Sequence, residues 1–194
     1  MTENLMIERT LYKTGTPIGD LLLVADDLGL TEIRFLPEGH SVAAKIIGQG
    51  ESAQFLKETM ADLHAYFRGR LKIFRSPIKV RGTAFQKSVW RSLRNLPYGK
   101  TMSYKALADL PQHQTSAIAI GQAVAKNPLP IIIPCHRIVG SHGDMVGYRG
   151  GVLRKAYLLE LERKMEEYIP LDQEHYYNLT GQNTGIKHRG KSAG

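Results

Sequence analysis

The chain has 194 residues and a formal net charge of +8, with 42% hydrophobic and 23% charged residues. That length can bury a core without staples, and the composition is neither disordered nor collagen-like. Unbroken apolar runs such as Leu21 to Ala25 and Ile131 to Ile133 are far too short to span a bilayer, and the single cysteine, Cys135, excludes an internal disulfide and any zinc site that needs two thiolates.

Met1 to Thr10 lacks the charged start and apolar stretch of a secretory signal, so a reducing compartment, cytoplasmic or nuclear, is expected. Met6 to Tyr12, Leu21 to Ala25 and Leu30 to Phe35 read as strands, parted by Gly15-Thr16-Pro17-Ile18-Gly19 and by Asp26-Asp27. Ser52 to Phe67 reads as an amphipathic helix with Phe55, Met60, Leu63 and Phe67 inward, stopped by Gly69. These elements predict a small α/β unit over residues 1–80. No chemistry is evident in it. Ser76-Pro77 and Gly82 mark the boundary with a second unit, residues 81–167.

The second unit is mainly helical. Thr83 and Gln86 have capping-box spacing ahead of an apolar face of Phe85, Val89, Leu93 and Leu96. Ser103 can cap a short helix running to Leu110, and Thr115 or Ser116 another running to Lys126, which makes a helix-turn-helix candidate. Leu129 to Pro134 reads as extended. Val152 to Met165 reads as a last helix with Leu153, Tyr157, Leu158, Leu161 and Met165 inward. The polar tail, 168–194, is expected to be partly flexible.

Charge is unevenly spread. Residues 1–62 hold five basic and ten acidic side chains, and residues 63–194 hold 21 basic and eight acidic. Between Asp62 and Asp109 lie eleven cations and no acid, the field that draws a polyanion such as nucleic acid, although a solvated basic surface would read the same way.

Cys135 sits in Pro134-Cys135-His136-Arg137 at the end of an apolar run. A neighbouring histidine can act as base and a cation favours the thiolate, the form that attacks carbon. Such a base needs a carboxylate on its other nitrogen, and Glu160, Glu162, Glu166 and Glu167 are all candidates by position.

The segment IIIPCHRIVGSHGDMVGYRGG, with FQKSVWRSLRNLPYGKTMSY upstream and LRKAYLLELE downstream, resembles the O6-alkylguanine-DNA alkyltransferases, also called methylated-DNA–protein-cysteine methyltransferases. The likeness covers Gly82 to Glu162; the first unit fits that family's N-terminal domain in size and position only. The resemblance implies a DNA-repair fold of an α/β domain followed by a helical domain with a helix-turn-helix (winged-helix-like) element. It implies that Cys135 accepts the alkyl group irreversibly, once per molecule, that His136 deprotonates it through a water, and that Glu162 orients His136. It gives Tyr104 the task of turning the nucleotide out and Asn127 that of a hinge. Pro130, Met145, Tyr148 and Gly150 correspond to the alkylguanine pocket. Ala117, Ile118, Ala119, Gly121 and Gln122 correspond to the helix that enters the minor groove, where small residues allow close approach. The implied partner is double-stranded DNA carrying O6-alkylguanine. A monomer is expected, in the cytoplasm with the nucleoid or in a nucleus, with no membrane, metal or cofactor.

The sequence departs from the family at two places. Ile118 stands where an arginine usually enters the duplex, which implies weaker duplex binding unless Ile118 simply packs inward. Arg149 stands beside the pocket where some members have a small residue. Rival readings are a non-catalytic damage sensor, a helix-turn-helix regulator, and a thiol hydrolase. Retention of Cys135 speaks against the sensor. The small, apolar recognition helix speaks against the regulator. The hydrolase would need an oxyanion hole that the sequence does not name.

Overall fold

A computed structural model describes residues 10–37, 50–165 and 169–171. Three strands, β1 (Thr10–Thr16), β2 (Gly19–Asp26) and β3 (Gly29–Phe35), form an antiparallel sheet in chain order. Thr16 pairs with Gly19, so the first strand runs through Gly15 and Thr16, and the expected five-residue turn shrinks to Pro17-Ile18. The part of the expected first strand before Thr10 lies outside the described residues. At the second turn, Asp26 accepts from the Leu28 amide at 3.0 Å, and Gly29 has a φ of 138°. A Cβ on Gly29 would lie 2.6 Å from the Pro77 carbonyl oxygen, so only glycine lets the 77–79 segment pair with this strand. That pairing is real: the Leu30 amide donates to Pro77 and the Lys79 amide donates to Leu30, both at 2.8 Å.

Helix α1 (Glu51–Phe67) covers the sheet. Its buried residues are Ser52, Ala53, Leu56, Thr59, Leu63 and Tyr66, so of the four inward residues expected only Leu63 is fully buried. The inward direction is nearly the expected one: Phe55, Met60 and Phe67 are half-buried at the margins of a face centred on Leu56, Leu63 and Tyr66. Gly69, at φ 69°, closes the helix by donating to the Tyr66 carbonyl.

Helix α2 (Ala84–Arg94) begins with the predicted capping box of Thr83 and Gln86. It buries Val89, Trp90 and Leu93 but leaves Phe85 exposed. Strand β4 (Lys100–Ser103) follows, then α3 (Tyr104–Ala108), capped by Ser103, and α4 (Ala117–Ala125), capped by Ser116. The Trp90 indole donates to the Ala123 carbonyl at 2.9 Å and ties α4 to α2. Strand β5 (Ile138–Val139) and strand β6 (Ile169–Leu171) pair in parallel on either side of β4. Ile169–Leu171, near the start of the expected tail, is therefore sheet, its apolar residues set apart from the polar run that follows; residues 172–194 lie outside the described residues.

Two further expectations fail in the second unit. Leu129 to Pro134 is a tight turn and not an extended run: the Ile133 amide donates back to Leu129 at 2.8 Å, and Ile131 has a φ of 77°. A β-branched residue there is strained by about 1–3 kcal/mol, which the burial of Ile131, Ile132 and Ile133 offsets. Helix α5 (Val152–Met165) has the expected bounds but another inward face. Lys155, Leu158, Leu159 and Glu162 are buried, whereas Leu153 is 87% exposed and Tyr157 39%. One hydrophobic cluster runs from Leu21 and Leu56 through Leu93 and Ile133 to Leu158, so the two units share a core.

Candidate active site

Cys135 opens a single turn of 3-10 helix, Cys135–Arg137, set at the end of the strained turn. Pro134, at φ −79° and ψ 63°, makes an inverse γ-turn in which the Cys135 amide donates to Ile133 at 2.7 Å. Asn127, at the end of α4, clasps the turn. Its side-chain amide donates to the Ile133 carbonyl at 2.8 Å and its oxygen accepts from the Leu129 amide at 3.0 Å. Helix α4 and the cysteine are thus fixed to one another.

The thiol lies at the base of a cavity of about 400 Å³ lined by Tyr104, Gly121, Val124, Ala125, Cys135, Gly147, Tyr148 and Arg149. Burial pushes the Cys135 thiol up to about 11, against the opposing pull of Asn127, its own backbone amide, Lys155 and Arg149. At neutral pH the resting sulfur is therefore protonated and needs a base. His136 stands next to it, fully buried. Its Nε2 lies 2.9 Å from Oε1 of Glu162, and a carboxylate partner makes this nitrogen the donor. Nδ1 is left with its lone pair, buried and without a partner among the described residues. Burial lowers the His136 pKa in spite of Glu162, so the ring is a neutral base.

Glu162 is the hub. Oε1 accepts from the Tyr66 hydroxyl at 2.7 Å, from His136 at 2.9 Å and from an Arg137 terminal nitrogen at 2.9 Å. Oε2 accepts from the Gly99 amide and from Arg137 Nε, both at 2.9 Å. Burial would raise its pKa, but the charge of His136 when that ring is protonated, the charge of Arg137 and the hydrogen bonds of both outweigh burial and hold the carboxyl far below its ordinary value. Of the four glutamates open by position, Glu162 is the one that meets His136; Glu160 pairs on the surface with Arg163, and residues 166 and 167 lie outside the described residues.

Tyr148 lines the cavity with its ring perpendicular to that of His136, centroids 6.5 Å apart. Its hydroxyl is buried without a partner among the described residues, and burial holds its pKa well above the usual value. Tyr104 and Gly121 lie together on another wall. Three expected pocket residues do not line this cavity. Pro130 is buried in the strained turn, Met145 is half-exposed on the 140–151 loop, and Gly150 sits behind Tyr148 against Phe35. On α4, Ala117, Ile118 and Gln122 are exposed, and Ala119 and Gly121 are partly so. Ile118 is 74% exposed, so it does not pack inward.

Sequence reasoning missed four contributors: Tyr66, the Gly99 amide, Lys155 and Phe35. Lys155 is buried and donates to the carbonyls of Ile138 and Val146, tying the middle of the loop that carries Met145 to β5. Its position seven residues before Glu162 on one helix was the available signal.

Known proteins resemble this chain in sequence and fold. Two family descriptions match the chain: 6-O-methylguanine DNA methyltransferase, ribonuclease-like domain, over residues 7–80, and the DNA-binding domain of the same family over residues 84–164. The chain belongs to the 6-O-methylguanine DNA methyltransferase family. A methylated-DNA–protein-cysteine methyltransferase of Methanosarcina acetivorans is 39% identical to it over 147 residues, which is 76% of this chain and 94% of the relative. One of Mycobacterium tuberculosis is 39% identical over 153 residues, 78% of this chain and 92% of the relative. The crystal structure of Mycobacterium tuberculosis OGT in complex with DNA superposes with a TM-score of 0.69 at 37% identity, covering 79% of this chain and 92% of that one. In family terms, α1 and its sheet belong to the ribonuclease-like domain, and Cys135, His136 and Glu162 to the DNA-binding domain. Among the described residues no helix is long and apolar enough to cross a membrane.

Proposed function

We propose that this methyltransferase repairs O6-alkylguanine in double-stranded DNA by moving the alkyl group, irreversibly and once per molecule, to Sγ of Cys135. The observation that carries the reading is the buried thiol at the base of a cavity, beside a neutral imidazole whose Nε2 is held by Glu162. His136 Nδ1 takes the thiol proton through a water. The sulfur attacks the alkyl carbon in line, the carbon–O6 bond breaks, and its electron pair returns to the guanine. Tyr148, held neutral by burial, donates the proton that the leaving guanine needs, and the proton on His136 restores Tyr148 through solvent. The thioether is too stable to reverse.

A stacked base cannot meet a buried sulfur, so the nucleotide must leave the helix at a cost of a few kcal/mol, a number typical of such proteins. In the proposed complex α3, its turn and α4 form a helix-turn-helix seated in the minor groove, with Ala117, Ile118, Ala119, Gly121 and Gln122 facing the duplex. Tyr104, beside the cavity mouth, turns the nucleotide, and Asn127 keeps α4 in step with the thiol. The protein acts as a monomer, with its working division near residue 80. The homologous crystal structure was solved with DNA, which supports DNA as partner.

Intact-mass analysis after mixing with a duplex that contains O6-methylguanine tests this. One methyl gained per molecule, on the Cys135 peptide, is the expected result, and Cys135→Ala should gain none while still binding DNA. Failure of both duplex and single strand to transfer would favour a damage sensor, and repeated turnover on an ester would favour a hydrolase.

A further inference from the structure

The ribonuclease-like domain reaches the catalytic carboxylate through Tyr66. Tyr66, on α1, is fully buried, and its hydroxyl donates to Oε1 of Glu162 at 2.7 Å across 96 residues of sequence. Its ring cannot swing away. Phe67 and Tyr98 pack against it edge-on, with centroids 5.4 and 5.9 Å distant, and Phe74 lies tilted at 5.4 Å. The oxygen that it binds is the same one that holds His136. We propose that Tyr66 is a positioning residue of the proton relay: by sharing Oε1 with His136, its hydroxyl sets how firmly Glu162 holds the imidazole proton.

The chemistry is a competition among donors. Each hydrogen bond to Oε1 draws off negative charge, so each weakens the others. Tyr66 removes charge that would otherwise stabilise a protonated His136. The ring then stays neutral and ready to accept the thiol proton, while Oε1 still fixes its orientation. Burial holds the phenol far above its usual pKa, so it remains a donor at every pH of interest. The charged and titratable groups around His136 are Glu162 and Lys155 on α5, Arg137 and Cys135 in its own turn, Tyr148 on the loop, and Tyr66 and Tyr98 beyond Glu162. Among these, Tyr66 and Arg137 share Oε1 with His136, and Tyr66 is the one that carries no charge.

This proposal rests on alkyl transfer at Cys135 with His136 as base. The experiment is single-turnover methyl transfer from an O6-methylguanine duplex, followed across the pH range in which imidazole titrates, with duplex affinity measured in parallel. If the parent protein gains no methyl, the underlying reading fails, whatever Tyr66 does. With the parent active, Tyr66→Phe should keep its duplex affinity and move the acid limb of the rate profile to higher pH by about one unit, the size of one hydrogen bond to a charged group. A profile that superimposes on the parent's overturns the proposal, even if the variant is less stable. Should Tyr66→Phe fail to fold, 3,5-difluorotyrosine at position 66 decides the matter. Its stronger donor should move the acid limb the opposite way, to lower pH, and an unmoved limb would again overturn the proposal.

Discussion

Glu162 gathers donors from a helix of the first domain, from the turn after α2, and from both residues that follow Cys135. An amide in its place would present hydrogens where donors already point, and would leave Arg137 buried without its counter-charge. Glu162→Gln should therefore cost about 3–5 kcal/mol in a denaturant titration and slow alkyl transfer by about a hundredfold or more. The first effect without the second would make the carboxylate a scaffold only. Ile118 poses the opposite case, an exposed aliphatic side chain on the face proposed to meet DNA. Ile118→Arg should tighten duplex binding and steepen the salt dependence by about one phosphate contact. An unchanged slope would take that face of α4 away from the duplex. The cysteine beside a histidine is legible from the residues themselves, whereas Asn127 is singled out only by the family resemblance. Tyr66 and Lys155 are legible in neither way, because a tyrosine in an amphipathic helix and a lysine in a charged one are ordinary until the fold shows what they touch.

At the scale of elements, the helix starts were legible because capping is local. Thr83, Ser103 and Ser116 each accept from the amide three residues on, as their spacing suggests. Helix faces were not. Leu153 and Glu162 are nine residues apart, about two and a half turns, so they point in opposite directions and cannot both be inward. The apolar pattern favoured Leu153, whereas the fold buries Glu162 and Lys155 and satisfies both with hydrogen bonds. The turn at Leu129 to Pro134 is hidden for a similar reason: an isoleucine run reads as strand, and the left-handed Ile131 is held by packing and by the Asn127 clasp, which only the fold shows. The loop from 140 to 151 has its own sharp requirement. A Cβ on Gly150 would lie 2.7 Å from the Phe35 ring and 2.8 Å from that of Tyr148. Gly150→Ala should cost about 1–3 kcal/mol and displace Tyr148, slowing transfer. Adding Phe35→Leu should recover part of both losses, and a double variant no better than the single one would show that Phe35 does not press on the loop.

Over the whole molecule, the first domain is joined to the reacting centre at several points. Besides Tyr66, Phe35 stacks edge-on against Tyr148 at 5.8 Å, and Arg154 donates to the Ile18 carbonyl at 2.6 Å while its guanidinium covers Phe35. Arg149, on the cavity wall, donates to the Asn127 carbonyl at 3.0 Å and approaches Glu32 of β3. Loss of the charge on Glu162 should therefore loosen both domains together. Its folded pKa lies below the ordinary glutamate value of 4.5, so the stability that it contributes is complete above that value. That contribution declines as the pH falls below 4.5 toward the folded pKa. Thermal unfolding between neutral and acid pH should show a single transition that moves steadily down in this window, and Glu162→Gln should flatten the trend. Two separating transitions would mean that the domains melt independently.

The enclosure of Cys135 has a consequence for the protein before it ever meets a lesion. A thiol that is 4% exposed and protonated at neutral pH is a poor target for peroxide, for free alkylating agents and for disulfide exchange. With a disulfide reagent it should react slowly in the native state and take up one equivalent on unfolding, the chain having no other cysteine. A molecule that can perform its reaction only once is thereby kept unspent, its sulfur silent toward everything small enough to diffuse past it and responsive to a base delivered into the cavity.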